Sequence, residues 1–454
     1  MNPSPHVAVC PSSGMGHLAP FLRLASTLSS YACKVTLVAI RPTVSVAETD
    51  ELTTFFAIHP HIACLDFHLQ PPSPASKGDP FFLQFEAMGR HAHILGEKLA
   101  GMSPPISAVF SDLIVANGII RALSGRGIFN TIVATTSARF SSLMATLPQL
   151  ITNISMSKPD GTVEVPGLDP IPIDSIPPPF FDPQHIFTQE ILSLAPAVIA
   201  ADAIILNTFE VFEPEAIHAL RDGQVLSMLP PVFPIGPLQP VEERRGKGEY
   251  LAWLDKQPDE SVVYVCFGSR TAMSKDQIRE LGHGLRSSGH RFLWLVKTSK
   301  VDREDEGEPR EVLGEGFYES VKGRGMVVKE WVNQEMILGH RAVGGFVNHC
   351  GWNSVMEAAR HGKPIVAWPQ HGDQRVNAGV AEKAGLAVWE QEWGWIGVRL
   401  VTREEITGKV IEMMANKDLR KRASRIGEEA RKARIDDGSS REALRHVIEM
   451  LKKD

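Results

Sequence analysis

The sequence predicts an α/β protein made of two doubly wound parallel sheets, and three observations support this fold class. Short β-rich runs alternate with helical stretches along the first half of the chain, at His6–Cys10, Lys34–Ile40, Ala108–Asp112, Thr131–Thr136 and Ala203–Thr208. A second set follows at Val262–Ser269, Arg291–Val296, Gly325–Lys329, Gly344–His349 and Pro364–Pro369. Such alternation is typical of βαβ units, whose strands pair in parallel. The third observation is the stretch Leu229–Pro240, which holds five prolines in twelve residues between the two sets.

The proline-rich stretch predicts where the chain divides. Proline fixes φ and removes a backbone donor, so we expect Leu229–Pro240 to join neither sheet and to lead into a linker. The predicted organisation is a Rossmann-like domain at 1–240, a linker at 241–250, a second Rossmann-like domain at 251–438 and a charged amphipathic helix at 439–454.

The composition is that of an ordinary globular protein of two or three domains, with 454 residues of which 43% are hydrophobic and 22% charged. A net charge of −6 without a basic cluster argues against a nucleic-acid groove. The five cysteines are scattered and form no CxxC pair, which argues against a disulfide scaffold or a zinc site and favours a reducing compartment. The start lacks the pattern of a signal peptide, and no run of about 18 apolar residues occurs. We therefore expect a cytoplasmic protein without a membrane span or a bound metal.

One 44-residue segment, Trp331–Gln374, carries an unusual density of functional side chains. An apolar run from Gly344 leads into a polar turn, and a helical stretch opens at Trp352-Asn353-Ser354 and closes at Gly362. The order strand, tight turn, helix N-terminus offers free N–H donors and the positive end of a dipole to an anion. A second polar cluster at 370–374 also follows an apolar run. Ligands bind at the carboxyl ends of parallel strands, where both clusters belong, although a glycine-rich strand-to-helix turn alone is common in α/β proteins.

The whole segment resembles the nucleotide-sugar signature box of plant UDP-glycosyltransferases. The resemblance lies in the segment's length, the opening Trp331, Gln334, the core His349–Ser354, Glu357 and the closing Asp373-Gln374. It implies the GT-B fold, in which two doubly wound Rossmann-like domains face each other across a cleft. In that fold the first domain binds the acceptor, the second binds the UDP-sugar, and a C-terminal helix returns to the first domain. The resemblance also implies UDP-glucose as a co-substrate and no metal cofactor.

The resemblance and the chemistry of the side chains assign parts of the donor to individual residues. Trp331 offers a flat face to uracil, Gln334 can pair with its edge, and Glu357 is an acceptor for ribose hydroxyls. The residues expected at the diphosphate are Ser269, His349, Asn353 and Ser354. The residues expected at the sugar are Thr136, Trp352, Asp373 and Gln374. A closing Gln374 is the usual companion of UDP-glucose in the resembled family.

A histidine and an aspartate of the first domain are the candidate catalytic pair. His17 follows the first strand at a helix N-terminus, and Asp112 ends the run Ala108–Asp112. The resemblance implies that His17 is a general base and that Asp112 orients its ring. A free phenol near pKa 10 and a free imidazole near pKa 6.5 are mismatched by about 3.5 units, or about 5 kcal/mol for complete proton transfer, so such a base needs a partner.

Both members of this pair have alternative interpretations. Asp112 is well suited to cap a helix that begins at Leu113. The turn Gly14-x-Gly16 before His17 is also typical of an NAD-dependent oxidoreductase, but that activity leaves the signature box unexplained.

Four stretches resemble the flavonoid C-glucosyltransferase subgroup: Pro11–Ala25, Gly78–Phe85, Phe267–Ser274 and Pro369–Gln374. This resemblance implies inverting transfer of glucose to a polyphenol, such as a 2-hydroxyflavanone or a dihydrochalcone, to give a β-C-glucoside. The expected acceptor contacts are Phe85, Phe180 and Phe181, and a monomer is expected. Residue spacing does not separate carbon from oxygen attack, so a phenolic O-glucosyltransferase is the nearest alternative. A non-catalytic UDP-sugar-binding protein would keep the box but lose the pair His17 and Asp112.

Overall fold

A computed structural model of the chain describes residues 4–70, 80–152, 161–241, 248–297 and 308–452. The chain forms two compact units, one made of Met1–Glu243 and Lys432–Asp454 and the other of Arg244–Arg431. Each unit contains one parallel sheet with helices packed on it, so the predicted α/β class is confirmed. The predicted linker at 241–250 lies mostly at 242–247, outside the described residues, as do positions 78 and 79 of the stretch Gly78–Phe85.

The first unit is built on seven parallel strands in the order β3-β2-β1-β4-β5-β8-β9, with β6 and β7 forming a separate antiparallel pair. The strands are β1 (His6–Cys10), β2 (Lys34–Arg41), β3 (Ala63–His68), β4 (Ala108–Asp112), β5 (Phe129–Ala134), β6 (Thr162–Val163), β7 (Ile171–Pro172), β8 (Ala203–Leu206) and β9 (Val232–Pro234). The chain leaves β1 toward β2 and β3 and returns on the other side of β1 as β4, with Cys10 opposite Ser111. The carboxyl ends of β1 and β4 therefore flank the topological switch point, where ligands bind in open α/β sheets.

Helices cover both faces of this sheet. They are α1 (Met15–Ser30), α2 (Val46–Ile58), α3 (Pro80–Ala100), α4 (Leu113–Leu123), α5 (Ala138–Thr152), α6 (Ile186–Ala200) and α7 (Pro214–Arg221), with two short 3-10 helices at Ile173–Ser175 and Pro178–Phe181. Alternate residues of β1 enter different cores: Val7 and Val9 pack with α1, whereas Ala8 and Cys10 pack with α3 and α4. Burial on both faces explains why the central strands are nearly continuous apolar runs.

The prediction that the proline-rich stretch stays out of both sheets is wrong. Val232, Phe233 and Pro234 pair in parallel with β8 as the edge strand β9. The carbonyl of Pro231 accepts from the N–H of Ile204, and the N–H of Ile235 donates to Leu206. An edge strand bonds to a neighbour on one side only, so a proline whose missing donor would face outward is tolerated there.

The second unit is built on six parallel strands in the order β12-β11-β10-β13-β14-β15. They are β10 (Val262–Cys266), β11 (Arg291–Leu295), β12 (Gly325–Val328), β13 (Val343–Asn348), β14 (Ile365–Ala367) and β15 (Ala387–Trp389). The helices are α8 (Glu249–Leu254), α9 (Lys275–Ser287), α10 (Pro309–Leu313), α11 (Glu315–Val321), α12 (Gln334–Leu338), α13 (Trp352–His361), α14 (Gln374–Lys383), α15 (Arg403–Ala415) and α16 (Lys417–Lys432), with a 3-10 helix at Gln391–Trp393. Here the switch point lies between β10 and β13, which brings the residues after these two strands together.

The last helix, α17 (Ser439–Met450), packs in the first unit. Leu444, Val447 and Ile448 are buried in the same core as β1 and α1. The hydroxyl of Ser440 donates to the carbonyl of Gly236 over 2.6 Å, which ties the helix to the chain just after β9. Among the described residues, none of the helices has both the length and the apolar composition that crossing a bilayer requires.

Candidate functional site

His17 lies in the first turn of α1, three residues after the helix N-cap Gly14. The N–H groups of His17 and Leu18 both donate to the Gly14 carbonyl over 2.9 Å. The N–H of Gly14 itself donates to the buried carboxylate of Glu48 over 3.1 Å. Glu48 also sits in the Ser45-x-x-Glu48 cap of α2, where the Ser45 hydroxyl accepts from the Glu48 N–H. The short loop that presents His17 is therefore held at its base by a neighbouring helix.

His17 and Asp112 are paired directly. Nδ1 of His17 lies 2.8 Å from Oδ2 of Asp112, and the imidazole remains 29% exposed while Asp112 is 1% exposed. The other oxygen of Asp112 accepts from the N–H of Ile114 over 3.1 Å, at the N-terminus of α4. Both interpretations of Asp112 therefore hold at once, since one oxygen caps the helix and the other contacts His17. A hydrogen bond from Nδ1–H to the carboxylate fixes the tautomer in which Nε2 carries the basic lone pair.

The loop after β5 supplies a third contact to this pair, which the sequence analysis missed. The hydroxyl of Thr135 lies 3.1 Å from Nδ1 of His17, while the predicted sugar contact Thr136 is the next residue and is buried. Both oxygens of the buried Glu213 accept from the N–H groups of Ala138 and Arg139 and so cap α5 directly after this loop. Burial raises the pKa of Glu213 to about 7, while the N–H donors of α5 oppose that rise. No local pattern links Glu213 to a helix 75 residues away.

The three predicted acceptor residues differ in their exposure. Phe85 and Phe180 are 2% and 4% exposed, and each packs against the ring of Phe187 with centroids 5.6 Å apart. Phe180 also stacks on Phe140. Phe181, by contrast, is 56% exposed. Phe85 and Phe180 belong to a buried aromatic cluster, and Phe181 is the member of the three with a ring face open to a ligand.

In the second unit, the turn after β13 has a strained and well-supported backbone. Cys350 adopts a left-handed conformation with φ of 62°, which side chains rarely favour. Its N–H donates to Oδ1 of Asn348 over 2.6 Å, and the amide of Asn348 donates to the carbonyl of Cys266 on β10. Helix α13 then begins at Trp352 with Gly351 as its N-cap, so the N–H groups of its first turn, at Trp352, Asn353 and Ser354, lie at the positive end of the helix. The order strand, turn and helix N-terminus that the sequence predicted is present here, and anion binding by it stays a prediction.

The imidazole of His349 fills a space that two glycines create. A Cβ on Gly268 or on Gly351 would lie 2.7 or 2.5 Å from Nε2 of His349. Nδ1 of His349 is enclosed and has no hydrogen-bond partner among the described residues. Burial, with a smaller contribution from the neighbouring His371, lowers the pKa of His349 to about 3. The ring is therefore neutral near pH 7 and would act on a diphosphate as a hydrogen-bonding group rather than as a charge.

Two of the three residues predicted for the nucleoside, Gln334 and Glu357, are hydrogen-bonded to each other. Nε2 of Gln334 donates to the Ser354 hydroxyl over 2.9 Å and to the Glu357 carboxylate over 2.6 Å. The phenol of Tyr264 on β10 donates to Oε1 of Gln334 over 3.3 Å. Trp331 is 42% exposed, which is unusual for so large an aromatic ring, and the Lys297 ammonium lies over the ring at 5.9 Å from its centroid. The carbonyl of Ser269, in the turn after β10, accepts from the Lys297 ammonium over 3.3 Å.

Three of the four residues predicted for the sugar, Trp352, Asp373 and Gln374, lie close to the turn after β13. Trp352 is 3% exposed at the start of α13. Asp373 and Gln374 lie at the start of α14, where the carboxamide oxygen of Gln374 accepts from the N–H groups of Gln370 and His371. Gln374 is therefore anchored to its own turn, a contact that spacing alone does not predict.

Asn377 links the two turns and was not singled out in the sequence. It is fully buried, and its amide donates to the carbonyl of Cys350 over 3.2 Å and to the carboxylate of Asp373 over 2.8 Å. The only signal in the sequence is its position one helical turn after Asp373, where side chains on a helix meet.

We expect Asn377→Leu to lower the free energy of unfolding by about 1–3 kcal/mol, because a buried carbonyl and a carboxylate lose their donor. The variant should also weaken UDP-glucose binding, since the two turns are no longer joined. Chemical denaturation and calorimetric titration measure the two effects. Lys383→Ala, at an exposed position of the same helix, is the control. If both variants match the wild-type protein, the link has no functional weight.

Among the described residues, no three His, Cys, Asp or Glu side chains come together as a metal site would require. The residues described above, around His17 in the first unit and around the turn after β13 in the second, offer hydrogen-bonding groups and aromatic surfaces.

Comparison with known proteins places the chain in a family. The family model for UDP-glucoronosyl and UDP-glucosyl transferases matches residues 191–425. UDP-glycosyltransferase 708C1 of Fagopyrum esculentum is 52% identical over 454 residues, which cover 100% of this chain and 96% of the relative. UDP-glycosyltransferase CGT of Oryza sativa subsp. japonica is 46% identical over 447 residues, which cover 97% and 94%.

A solved structure agrees with these sequence relatives. LpCGTa in complex with UDP has a TM-score of 0.88 and 41% identity and covers 99% of this chain and 100% of its own. The resemblance to plant UDP-glycosyltransferases, and to their C-glucosyltransferase subgroup, is thereby confirmed. The chain is an enzyme that uses a UDP-sugar donor, and it belongs to the UDP-glycosyltransferase family of GT-B fold.

Proposed function

We propose that this enzyme transfers glucose from UDP-glucose to a carbon atom of a polyphenol, with inversion at the anomeric carbon, to give a β-C-glucoside. The acceptor is a flavonoid-type compound with several phenolic hydroxyls, such as a 2-hydroxyflavanone or a dihydrochalcone. His17 is the general base and Asp112 its orienting partner.

The pairing of His17 with Asp112 is the observation that carries this proposal. A base must combine an accessible proton-accepting atom with a fixed orientation. The imidazole is partly exposed while its carboxylate partner is buried and held by the N-terminus of α4. A protein that only binds UDP-sugars has no need for such a pair, so catalysis is favoured over binding alone.

The reaction follows from ordinary phenol chemistry. Nε2 of His17 takes the proton of a phenolic hydroxyl, and the resulting phenolate delocalises negative charge onto a ring carbon flanked by hydroxyls. That carbon attacks the anomeric carbon of UDP-glucose from the face opposite UDP, and the bond from the anomeric carbon to the diphosphate oxygen breaks with its electron pair. The ring carbon that formed the new bond then gives its proton to water and regains aromaticity, and His17 returns to its basic form by passing the phenolic proton to solvent. Protein donors stabilise the charge that develops on UDP.

In this proposal, each part of UDP-glucose is bound by its own set of residues. Trp331 stacks on uracil, Gln334 pairs with its edge, and Glu357 accepts from ribose hydroxyls. The diphosphate takes the N-terminus of α13 together with His349, Asn353, Ser354 and Ser269. The hexose takes Trp352, Asp373 and Gln374 of the second unit, and the sugar contact of Thr136 stays a prediction. Phe181 has the exposed ring for an acceptor contact.

The names of relatives favour a carbon atom over an oxygen atom of the acceptor as the nucleophile that attacks the anomeric carbon. The Oryza sativa relative is named CGT and the solved neighbour LpCGTa, and both match along nearly the whole chain. The same His–Asp pair would also serve a phenolic O-glucosyltransferase, so the identity of the bond is the decisive measurement.

The test is to incubate the protein with UDP-glucose and a trihydroxyphenyl ketone and to heat the product in acid. We expect the glucoside to survive, because a C–C bond resists the hydrolysis that cleaves a glycosidic C–O bond. A carbon-13 spectrum should show the anomeric carbon bonded to the aromatic ring. Release of glucose would instead establish O-transfer. Lack of any product from a range of phenols, in a protein that still binds UDP-glucose, would contradict the proposed acceptor class.

A further inference from the structure

The hydrogen bonds of the turn between β14 and α14 determine which ring nitrogen of His371 donates. Oε1 of Gln374 accepts from the N–H of Gln370 over 2.8 Å and from the N–H of His371 over 3.0 Å. The opposite orientation of the carboxamide would set an NH₂ group against two N–H donors, so the orientation is determined. Nε2 of Gln374 then lies 3.2 Å from Nδ1 of His371. Because an amide nitrogen only donates, Nδ1 accepts in this contact, and the ring proton of His371 lies on Nε2.

The position of this Nε2–H donor follows from its other neighbour. Nε2 of His371 lies 3.5 Å from the hydroxyl of Thr271, at the outer limit of hydrogen-bond distance. Thr271 belongs to the segment after β10 that also carries Ser269. The donor therefore lies between the turn after β10 and the turn after β14, at the carboxyl ends of strands near the switch point of the second unit.

Two further observations indicate room for a ligand at this place. Gly372 has φ of 64°, and a Cβ added there would meet no atom within 4 Å. Next to it, the carboxylate of Asp373 is held through one oxygen by Asn377. A donor at His371 and an acceptor at Asp373 on one turn match the alternating donor and acceptor character of neighbouring sugar hydroxyls.

We infer that His371 is a further specificity-determining residue of the donor site, whose Nε2–H donates to a hydroxyl of the hexose of UDP-glucose. This inference rests on the proposed function in taking the turn at 370–374 as the hexose site. Gln374 then has two roles, since its carboxamide both belongs to that site and holds the His371 donor in the required tautomer.

Two substitutions separate the two nitrogens of the ring. In H371N the side-chain oxygen can take the place of Nδ1 and keep the contact with Gln374, but the distal donor is lost. In H371Q the longer side chain places an amide N–H near the position of Nε2. We expect H371N to weaken UDP-glucose binding by about 3–12-fold, the equivalent of one hydrogen bond, and H371Q to bind within about threefold of the wild-type protein.

The measurement is calorimetric titration of the full-length protein with UDP-glucose and, separately, with UDP. Affinity for UDP should stay unchanged in both variants, because the inferred contact is to the hexose. Equal losses for UDP and UDP-glucose would place the contact on the diphosphate and overturn the inference. The inference would also be overturned if H371Q lost affinity for UDP-glucose and H371N did not, since His371 would then act only through its contact with Gln374.

Controls keep this result separate from folding and from the proposed reaction. H290N changes a histidine that precedes β11 at the opposite end of the sheet, and thermal denaturation of all variants detects a general loss of stability. Because binding is measured without an acceptor, the result does not depend on whether the product is a C-glucoside. A wild-type protein that binds UDP-glucose but glucosylates no phenol would refute the proposed acceptor while leaving the His371 inference testable.

Discussion

Replacing His17 by Ala is expected to lower kcat by about 10²–10⁴-fold, the contribution of a positioned general base. The physical reason is that a phenol is largely protonated at neutral pH, so the attacking ring carbon has little nucleophilic character without a base. The fold should tolerate the change, because the imidazole is partly exposed and α1 is held by the contacts of Gly14. Initial rates with UDP-glucose and a polyphenol, together with calorimetric titration of UDP, measure the two quantities.

The same variant separates a catalytic role from a binding role. UDP affinity should stay at the wild-type value, since the groups proposed to hold the nucleotide belong to the second unit. His218→Ala, at an exposed position of α7, is a matched control and should leave the rate unchanged. Free imidazole added to the His17→Ala protein should restore part of the lost rate. A variant that keeps more than about a tenth of the wild-type rate would refute the assignment of His17 as the base.

The central strands of both sheets could be predicted from the sequence because they are buried on both faces. The predicted runs His6–Cys10 and Ala108–Asp112 match β1 and β4 to the residue. Three of the four edge strands of the two parallel sheets lack this signal, whereas the sequence predicts the edge strand β12 as the run Gly325–Lys329. In β3 most side chains are exposed, and β9 and β15 have three residues each. A strand that pairs on one side needs neither a long apolar run nor a full set of backbone donors. For this reason β3, β9 and β15 are not predicted from the sequence.

The residues of the candidate site likewise fall into those that could be predicted from the sequence and those that could not. The positions of residues at the end of a strand or the start of a helix could be predicted, as His17, Asp112 and Asn353 illustrate. Residues that act by holding another loop could not. Glu48, Glu213 and Asn377 make their contacts to segments distant in sequence, and nothing in their own neighbourhood encodes the partner.

Side-chain packing also limits what a resemblance can transfer. Phe85 and Phe180 are as apolar in the sequence as Phe181, yet the first two are enclosed by Phe187 and only the third is exposed. Exposure depends on how α3, α6 and the 3-10 helix at Pro178–Phe181 meet, and that arrangement is a property of tertiary structure. Acceptor contacts are therefore the part of the site that sequence predicts least well.

Replacing Asp112 by Asn is expected to lower kcat by about 10²–10⁴-fold while leaving the folded state nearly as stable. The carboxylate accepts from two donors at once, Nδ1–H of His17 on one oxygen and the Ile114 N–H on the other. An amide has only one acceptor. If its oxygen caps α4, its NH₂ faces Nδ1 of His17, which must then accept, and the ring proton moves to Nε2, where it blocks base catalysis.

Asp112→Ala provides the comparison, because it removes the cap as well as the orienting group. We expect it to lose a similar factor in kcat and, in addition, about 0.5–2 kcal/mol in the free energy of unfolding. Asp50→Asn, at an exposed position of α2, controls for the loss of a negative charge. Rates and chemical denaturation curves of the three variants separate the capping role from the orienting role. An Asp112→Asn protein with more than about a tenth of the wild-type kcat would show that the orienting role is dispensable.

The double variant tests whether Asp112 acts through His17 or independently of it. If the carboxylate serves to orient the ring and to stabilise its protonated form, it has no function once the ring is gone. His17→Ala combined with Asp112→Asn should then be no slower than His17→Ala alone, although the two single losses multiplied together would predict a far slower enzyme. Multiplicative losses would instead mean that Asp112 contributes to the reaction by a route that does not pass through His17. The sharing of one carboxylate between a helix cap and an imidazole predicts the first outcome, because Asp112 is only 1% exposed and both of its oxygens already contact the protein.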